Sequence, residues 1–374
     1  MTSRTLVFVG SLNCAVPHFA AAHGKGITSF SFDDTTGKLT WLAETEGIDN
    51  PTYLALRPAQ DMLYATSELF GVSEGAISAF RIDRASGTLT PVGDRQSTRG
   101  SLSAYCTTDR EGRYAFVANY AHETPGEQPG RHVVSFATGA DGALSSAVSE
   151  FMHQGSGPRA DRQGVPHAHC VAVAPDSRYA LVSDLGTDTI STYEIDAGGS
   201  GGLLASGVEP LQLAPGSGPR HLAFHPDGDT VYVLNELDNT LCVLGYAREH
   251  GTLRVLQTVE GLPAGSAPSD AADIAVSGDG RFVYASFRGT DCVGVYALAE
   301  DGTIEVCRGH YPAGGRTPRA FALSPSSRFL LVASQNSDRL VVWRLDPALG
   351  TLVEKVDEVE IGTPMCVKTM QVDA

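Results

Sequence analysis

Two short runs bring a cation and a carboxylate to where they could meet. Arg220 and His221 open a stretch that alternates apolar and other residues as far as Phe224. Asn235 and Glu236 close a second stretch, Val231-Tyr232-Val233-Leu234. Between them stands Asp227-Gly228, and Asp-Gly between β-rich runs is a strong hairpin signal. A hairpin folds its two ends together, so Arg220 and Glu236 are expected at one edge of a sheet. A guanidinium fork suits a carboxylate or phosphate, and a neighbouring carboxylate or imidazole could move a proton. The same two residues could equally form no more than an ion pair at the sheet edge. His167 and His169, two apart on what reads as a strand, are expected to point to one face. Their spacing can bind a metal, but zinc takes a third and fourth ligand, and nearby arginines disfavour a dication. No metal and no cofactor are expected. Substrate contact, proton transfer and hydrogen-bonded packing stay open for the two histidines.

The elements that must position these residues repeat along the chain. The unit is a strand, a turn, a second strand, a polar gap, a third strand, and a Gly-x-Leu or similar step into a fourth. Copies begin near Asn50, Ser103, Pro166, Gly218, Ala272 and Pro318, and their fourth strands open at Gly87-Thr88-Leu89, Gly142-Ala143-Leu144, Gly202-Leu203, Gly251-Thr252-Leu253, Gly302-Thr303-Ile304 and Gly350-Thr351-Leu352. The N-terminus holds three further strands, around Leu6-Val7-Phe8-Val9, Ile27-Thr28-Ser29-Phe30 and Leu39, without a first one. Thr363-Pro364-Met365-Cys366-Val367 at the C-terminus supplies it. Six whole units and one shared between the ends predict an all-β chain, a single seven-bladed β-propeller over residues 1–374 with four-stranded blades. Closure by both termini removes an exposed sheet edge. A pair of β-sandwiches would leave the split unit unexplained. Residues 13–25, 121–131, 155–164 and 261–270 interrupt the repeat and read as loops, some of which could wall a pocket.

Composition narrows the function. The formal charge of −16 argues against a nucleic-acid backbone as partner, and it makes a local cluster of arginines informative. No apolar run long enough for a membrane helix is present, and the first residues read directly as a strand. The seven cysteines, Cys14, Cys106, Cys170, Cys242, Cys292, Cys307 and Cys366, are scattered and form no Cys-x-x-Cys. Reduced thiols in a cytoplasmic protein are expected, as a monomer or weak homo-oligomer.

The first strand of a propeller blade lines the central channel, and its start shares a face with the end of the second strand. That face should therefore gather His167, His169, Arg220, His221 and Arg319 from strand starts. From second-strand ends it should gather Glu68, Asn119, Tyr120, Asp184, Asn235, Glu236, Arg288, Gln335 and Asn336. A polar mouth on an apolar channel is a common form of small-molecule site. Asp184 could simply cap a turn, and His225 and Asp227 belong to the opposite face.

At these residues the chain resembles the lactonase family of seven-bladed propellers, which includes bacterial 6-phosphogluconolactonase and the fungal 3-carboxy-cis,cis-muconate lactonising enzyme. The resemblance covers nearly the whole length. It rests on Gly216-Ser217-Gly218-Pro219-Arg220-His221, Asn235-Glu236-Leu237, Ala271-Ala272-Asp273-Ile274, Thr317-Pro318-Arg319, Gly362-Thr363-Pro364-Met365, Pro166-His167-Ala168-His169 and Asp184-Leu185-Gly186. It implies an active-site histidine at His169 or His167, with Arg220, Glu236 and Arg288 completing the catalytic set. From their place in the repeat, His167, Asp184, His221, Asn119, Arg319 and Gln335 are expected to contact substrate. The chain departs from the family pattern at Phe287, at Gly10-Ser11-Leu12-Asn13 and at Ser103-Ala104-Tyr105-Cys106, all around the mouth.

The expected function is hydrolysis of an anionic sugar-type lactone. The arginines would hold the anion or the developing oxyanion, and Glu236 or His169 would serve as general base. Cycloisomerisation of a carboxylated muconate by the same groups, and a scaffold without chemistry, are the alternatives.

Overall fold

The second strand of each repeat is rich in β-branched and aromatic residues, and Tyr114–Asn119, Tyr179–Asp184, Thr230–Asn235 and Phe329–Ser334 are buried at every position. A strand covered on both faces must sit inside its sheet and between neighbouring sheets. In the computed structural model, which describes residues 4–17, 19, 21–120, 130–198 and 201–372, the strands form seven antiparallel sheets. Numbered in chain order, blade three runs Ala168–Val173, Tyr179–Asp184, Thr189–Ile195 and Leu203–Ala205 from the channel outward. Blade four runs Pro219–Phe224, Thr230–Asn235, Thr240–Ala247 and Thr252–Glu260. Blades five and six begin at the channel with Asp270–Val276 and Pro318–Leu323. In blades one and three a short extra strand also pairs with the third strand. Part of the 121–131 loop, residues 121–129, lies outside the described residues, as do positions 18 and 20 of the N-terminal insert and the first three residues of the chain.

The ring closes as the split repeat implies. Pro364–Val372 is the innermost strand of the last blade and pairs antiparallel with Arg4–Ser11 along its length. It extends beyond the Thr363–Val367 stretch read from sequence, because Lys368 to Val372 continue the same ladder opposite Arg4 to Phe8. One 3-10 turn, Gln335–Ser337, is the single helical element among the described residues.

Neighbouring blades are stapled by a repeated contact. The hydroxyls of Tyr64, Tyr232 and Tyr284 donate to the carbonyls of Gly142, Gly302 and Gly350 at 3.1, 2.7 and 2.9 Å. Each tyrosine is fully buried on a second strand, and each glycine opens the fourth strand of the following blade. Gly350 shows why glycine is required there. Its φ is +72°, and a Cβ would stand 2.6 Å from the Phe282 ring. The Gly-x-Leu step is thus a docking point for the preceding blade as well as a turn.

Candidate functional site

A bulge at the same place in successive inner strands builds the mouth of the channel. In blade three Ala168 pairs with Asp184 and Cys170 with Ser183, which leaves His169 as an extra residue. Blade four leaves Arg220 between Pro219 and His221, and blade six leaves Arg319 between Pro318 and Ala320. Blade two leaves Ala104. A bulge frees its residue from the ladder and re-aims the side chain. His169, Arg220, Arg319 and Ala104 all line one cavity of about 480 Å³. His167 and His169 therefore share this cavity through a bulge, where simple alternation was the sequence expectation.

The approach to Arg220 is fixed from behind. Asp188 accepts from the backbone N–H groups of Gly216 and Gly218, both at 2.7 Å, and so shapes the turn before Pro219. Asp188 also accepts from Gln163 Nε2 at 2.7 Å, and Gln163 is wholly buried. That contact pins the 155–164 loop over the mouth and delivers Arg162 to the cavity.

Glu236 is the electrostatic centre. Its Oε2 lies 2.9 Å from both Arg220 Nε and Arg288 Nη2, and its Oε1 is paired with Arg162 Nη2. Arg220 also donates to the Ala272 carbonyl oxygen, and Arg288 to those of Asp270 and Ala271. Burial alone pushes the Glu236 carboxyl up, but Arg288, Arg220 and Arg162 outweigh it and hold the group well below the usual carboxylate range. Burial and the charge of Arg288 bring Arg220 down to about 10, still a cation at neutral pH.

His169 is 4% exposed, and its Nδ1 has no hydrogen-bond partner among the described residues. Burial, then Arg220 and His221, hold its pKa well below the ordinary value, so the ring is neutral near pH 7. His167 stacks on Tyr120 at 4.1 Å between ring centroids, and its Nδ1 donates to the Tyr120 carbonyl oxygen. Arg319 reaches the cavity from the far side. Burial lowers its pKa, and Glu68 supplies the strongest opposing charge. Glu68 Oε2 is buried without a partner. Pro17, Phe70, Leu102 and Ala104 give the same cavity an apolar wall. A wider cavity of about 980 Å³ lies beside it under residues 262–269 and shares Asp270 and Arg288.

The remaining expected contacts lie elsewhere. Asn119 is fully buried and donates to the carbonyls of Thr98 and Arg131. Asp184 accepts from the backbone N–H groups of His167, Gly186 and Thr187 and pairs with His153 Nδ1 at 2.6 Å, which anchors the start of blade three. Gln335 sits in the 3-10 turn, away from the cavity lining. His221 lies beneath Arg220 and does not line the cavity. These four expected substrate contacts lie outside the lining of that cavity. Local backbone groups or neighbouring side chains occupy Asn119, Asp184 and His221. His225 pairs with Asp227 and with the Gly280 carbonyl on the opposite face. Arg162 was missed; its signal was a basic insert, Arg159 to Gln163, immediately before the histidine pair. Among the described residues no group of three His, Cys, Asp or Glu side chains is arranged to hold a metal.

The family model for the seven-bladed β-propeller lactonases matches residues 13–369. A 6-phosphogluconolactonase of Bacillus subtilis is 33% identical over 346 residues, covering 92% of this chain and 94% of the relative. One from Formosa agariphila is 30% identical over 358 residues, covering 95% and 97%. The solved periplasmic gluconolactonase of Pseudomonas aeruginosa superposes with a TM-score of 0.88 at 32% identity, covering 98% of this chain and 99% of that one. With a propeller ring closed by its own termini and these relatives along nearly its full length, the chain belongs to the lactonase family of seven-bladed β-propellers.

Proposed function

We propose that this protein hydrolyses an anionic sugar-type lactone, of the 6-phosphogluconolactone kind, in the cavity at the channel mouth. The observation that carries the reading is a pair of buried polar atoms without hydrogen-bond partners, on residues that line one cavity together with Arg319. The atoms are His169 Nδ1 and Glu68 Oε2, without partners among the described residues, and the Arg319 side chain lines the same cavity. Buried polar atoms in native proteins are almost always satisfied, so a ligand is the natural source of the missing bonds. It must bring acceptors, best an anion, to Arg319, and hydroxyl donors to Glu68. A polyhydroxylated acid lactone carries both. The named relatives support the same chemistry.

The geometry divides the labour. Both Glu236 oxygens are taken by guanidinium groups, and its basicity is suppressed, so its part is to hold Arg220 and Arg288 in place. His169 is neutral and free to take a proton from water as that water attacks the lactone carbonyl. The oxyanion that forms is stabilised by the preorganised positive charge of Arg220 and Arg288. The proton on His169 then passes to the ring oxygen as the C–O bond breaks, and the hydroxy acid is released. An anion on Arg319 offsets the field that keeps His169 weakly basic, so a charged substrate strengthens its own base. A cytoplasmic location is part of the same proposal, supported by seven free cysteines.

The test is proton release from phosphorylated and neutral glucono-lactones, each above its spontaneous rate, in wild type and Arg319→Gln. A charge-assisted hydrogen bond is worth about 1.5–3 kcal/mol. The variant should therefore lose roughly 10- to 150-fold in kcat/KM for the phosphorylated lactone and little for the neutral one. Equal losses on both substrates would remove Arg319 from anion recognition.

A further inference from the structure

A second run of polar side chains descends into the channel below the cavity, and the chemistry above makes no direct use of it. Arg220 Nη1 lies 3.0 Å from His221 Nε2. A guanidinium can only donate, so Nε2 is the acceptor and the ring proton of His221 sits on Nδ1. That nitrogen is 2.8 Å from Asp273 Oδ1. Asp273 is itself fixed: Oδ1 accepts from the Ile274 N–H at 3.0 Å, and Oδ2 from the Phe321 N–H of blade six at 3.1 Å. The bulge in blade five, where Ala272 and Asp273 stand between the Ala271 and Ile274 pairs, serves Arg220 twice. The Ala272 carbonyl takes one guanidinium proton directly, and the Asp273 side chain acts through His221.

We propose that Asp273 and His221 are positioning residues for Arg220, Asp273 fixing the His221 tautomer whose Nε2 accepts from the guanidinium and so orients it toward Glu236 and the cavity. This rests on the reading of that cavity as the lactone site. The charged and titratable groups facing His221 are Arg220 on its own strand, Asp273, His169, Tyr53, Tyr105 and Lys368. Burial first, then Arg220, bring its pKa to about 4, against the opposing pull of Asp273. The accepting tautomer therefore persists from alkaline pH down to about pH 5, and protonation below that turns Nε2 into a donor facing Arg220.

Wild type and the variants Asp273→Asn, His221→Phe and His221→Gln separate positioning from packing. Nitrogen-15 spectra of histidine-labelled protein report the tautomer, and initial rates on a phosphorylated glucono-lactone report the chemistry. Wild type should show His221 protonated on Nδ1 and unchanged between pH 8 and 5. Asp273→Asn should mix the tautomers and lose about tenfold or more in kcat/KM, the scale of one oriented bond to a charged group. His221→Phe should lose a similar factor, and His221→Gln, whose amide oxygen can accept from Arg220, should recover much of it. A packing role reverses the last two, since Phe fills the space among Tyr53, Tyr105 and His169 better than Gln. A wild-type His221 protonated on Nε2, full kcat/KM in Asp273→Asn, or a Phe variant better than the Gln variant overturns the proposal. If wild type fails to accelerate lactone opening, the reading of the cavity fails. The spectra, with calorimetric binding of 6-phosphogluconate to the same variants, still decide whether Asp273 and His221 set the state of Arg220.

Discussion

Replacing Glu236 by Gln removes one negative charge from the meeting point of three guanidinium groups. The carboxylate is 4% exposed, with Arg220 and Arg288 each at 2.9 Å and Arg162 on its other oxygen. The amide keeps the shape and one acceptor, but it presents N–H donors to groups that can only donate. Breaking a buried ion pair by removing one partner costs about 3–5 kcal/mol. At about 2.1 cal/mol/K of unfolding entropy per residue, a 374-residue chain should melt roughly 4–6 °C lower. The pH dependence adds a signature. The folded-state pKa of Glu236 is depressed, so its contribution is complete above the ordinary carboxylate value of 4.5 and is lost as pH falls through the lower folded value. Calorimetric scans of wild type and Glu236→Gln should therefore differ most above about pH 5 and converge in acid. A variant that melts with wild type at pH 7, or a gap that widens in acid, would refute the view of Glu236 as the arginine clamp.

Two further outcomes follow from the same structure. Removing residues 364–374 takes away the inner closing strand, with Met365, Cys366, Val367, Met370 and Val372 all buried. At about 1.5–3 kcal/mol for each large apolar side chain, that rivals a net stability of about 5–15 kcal/mol, so the truncated chain should show no cooperative melting transition; one that melts like the full chain would contradict the closure. Dialysis against a chelator should leave lactone turnover unchanged, because guanidinium groups occupy the positions a dication would need; loss restored by one particular dication would overturn this.

How far the sequence could be read depended on whether a feature repeats. The strands, the turns and the shared last blade are periodic, so self-comparison exposes them. The Gly350 step and the Tyr284 staple recur for the same reason. The bulges at His169, Arg220 and Arg319 are a relation between two strands, and no single strand carries their signature, although the residues they aim were found from their place in the repeat. That same position puts Asn119 and Asp184 at second-strand ends but not in the cavity lining. Backbone N–H and C=O groups that leave the ladder at a blade edge need partners, and these two side chains answer that need locally. Arg162 sits on an aperiodic loop, so only the fold of that loop, pinned through Gln163 and Asp188, shows where its charge goes. The general base was open between Glu236 and His169 because the sequence brings arginines near both. Only the distances show that the arginines saturate one and leave the other free.

The central claim is tested most directly by the rate of opening of a phosphorylated glucono-lactone, above its spontaneous hydrolysis, in wild type and in His169→Gln of matched folded content. The account predicts clear acceleration by wild type. In the variant it predicts a fall in kcat of about 10²-fold or more, as expected for removal of a general base, with calorimetric binding of 6-phosphogluconate nearly unchanged. A folded His169→Gln protein that opens the lactone as fast as wild type, or a wild type that adds nothing to the spontaneous rate, would contradict it.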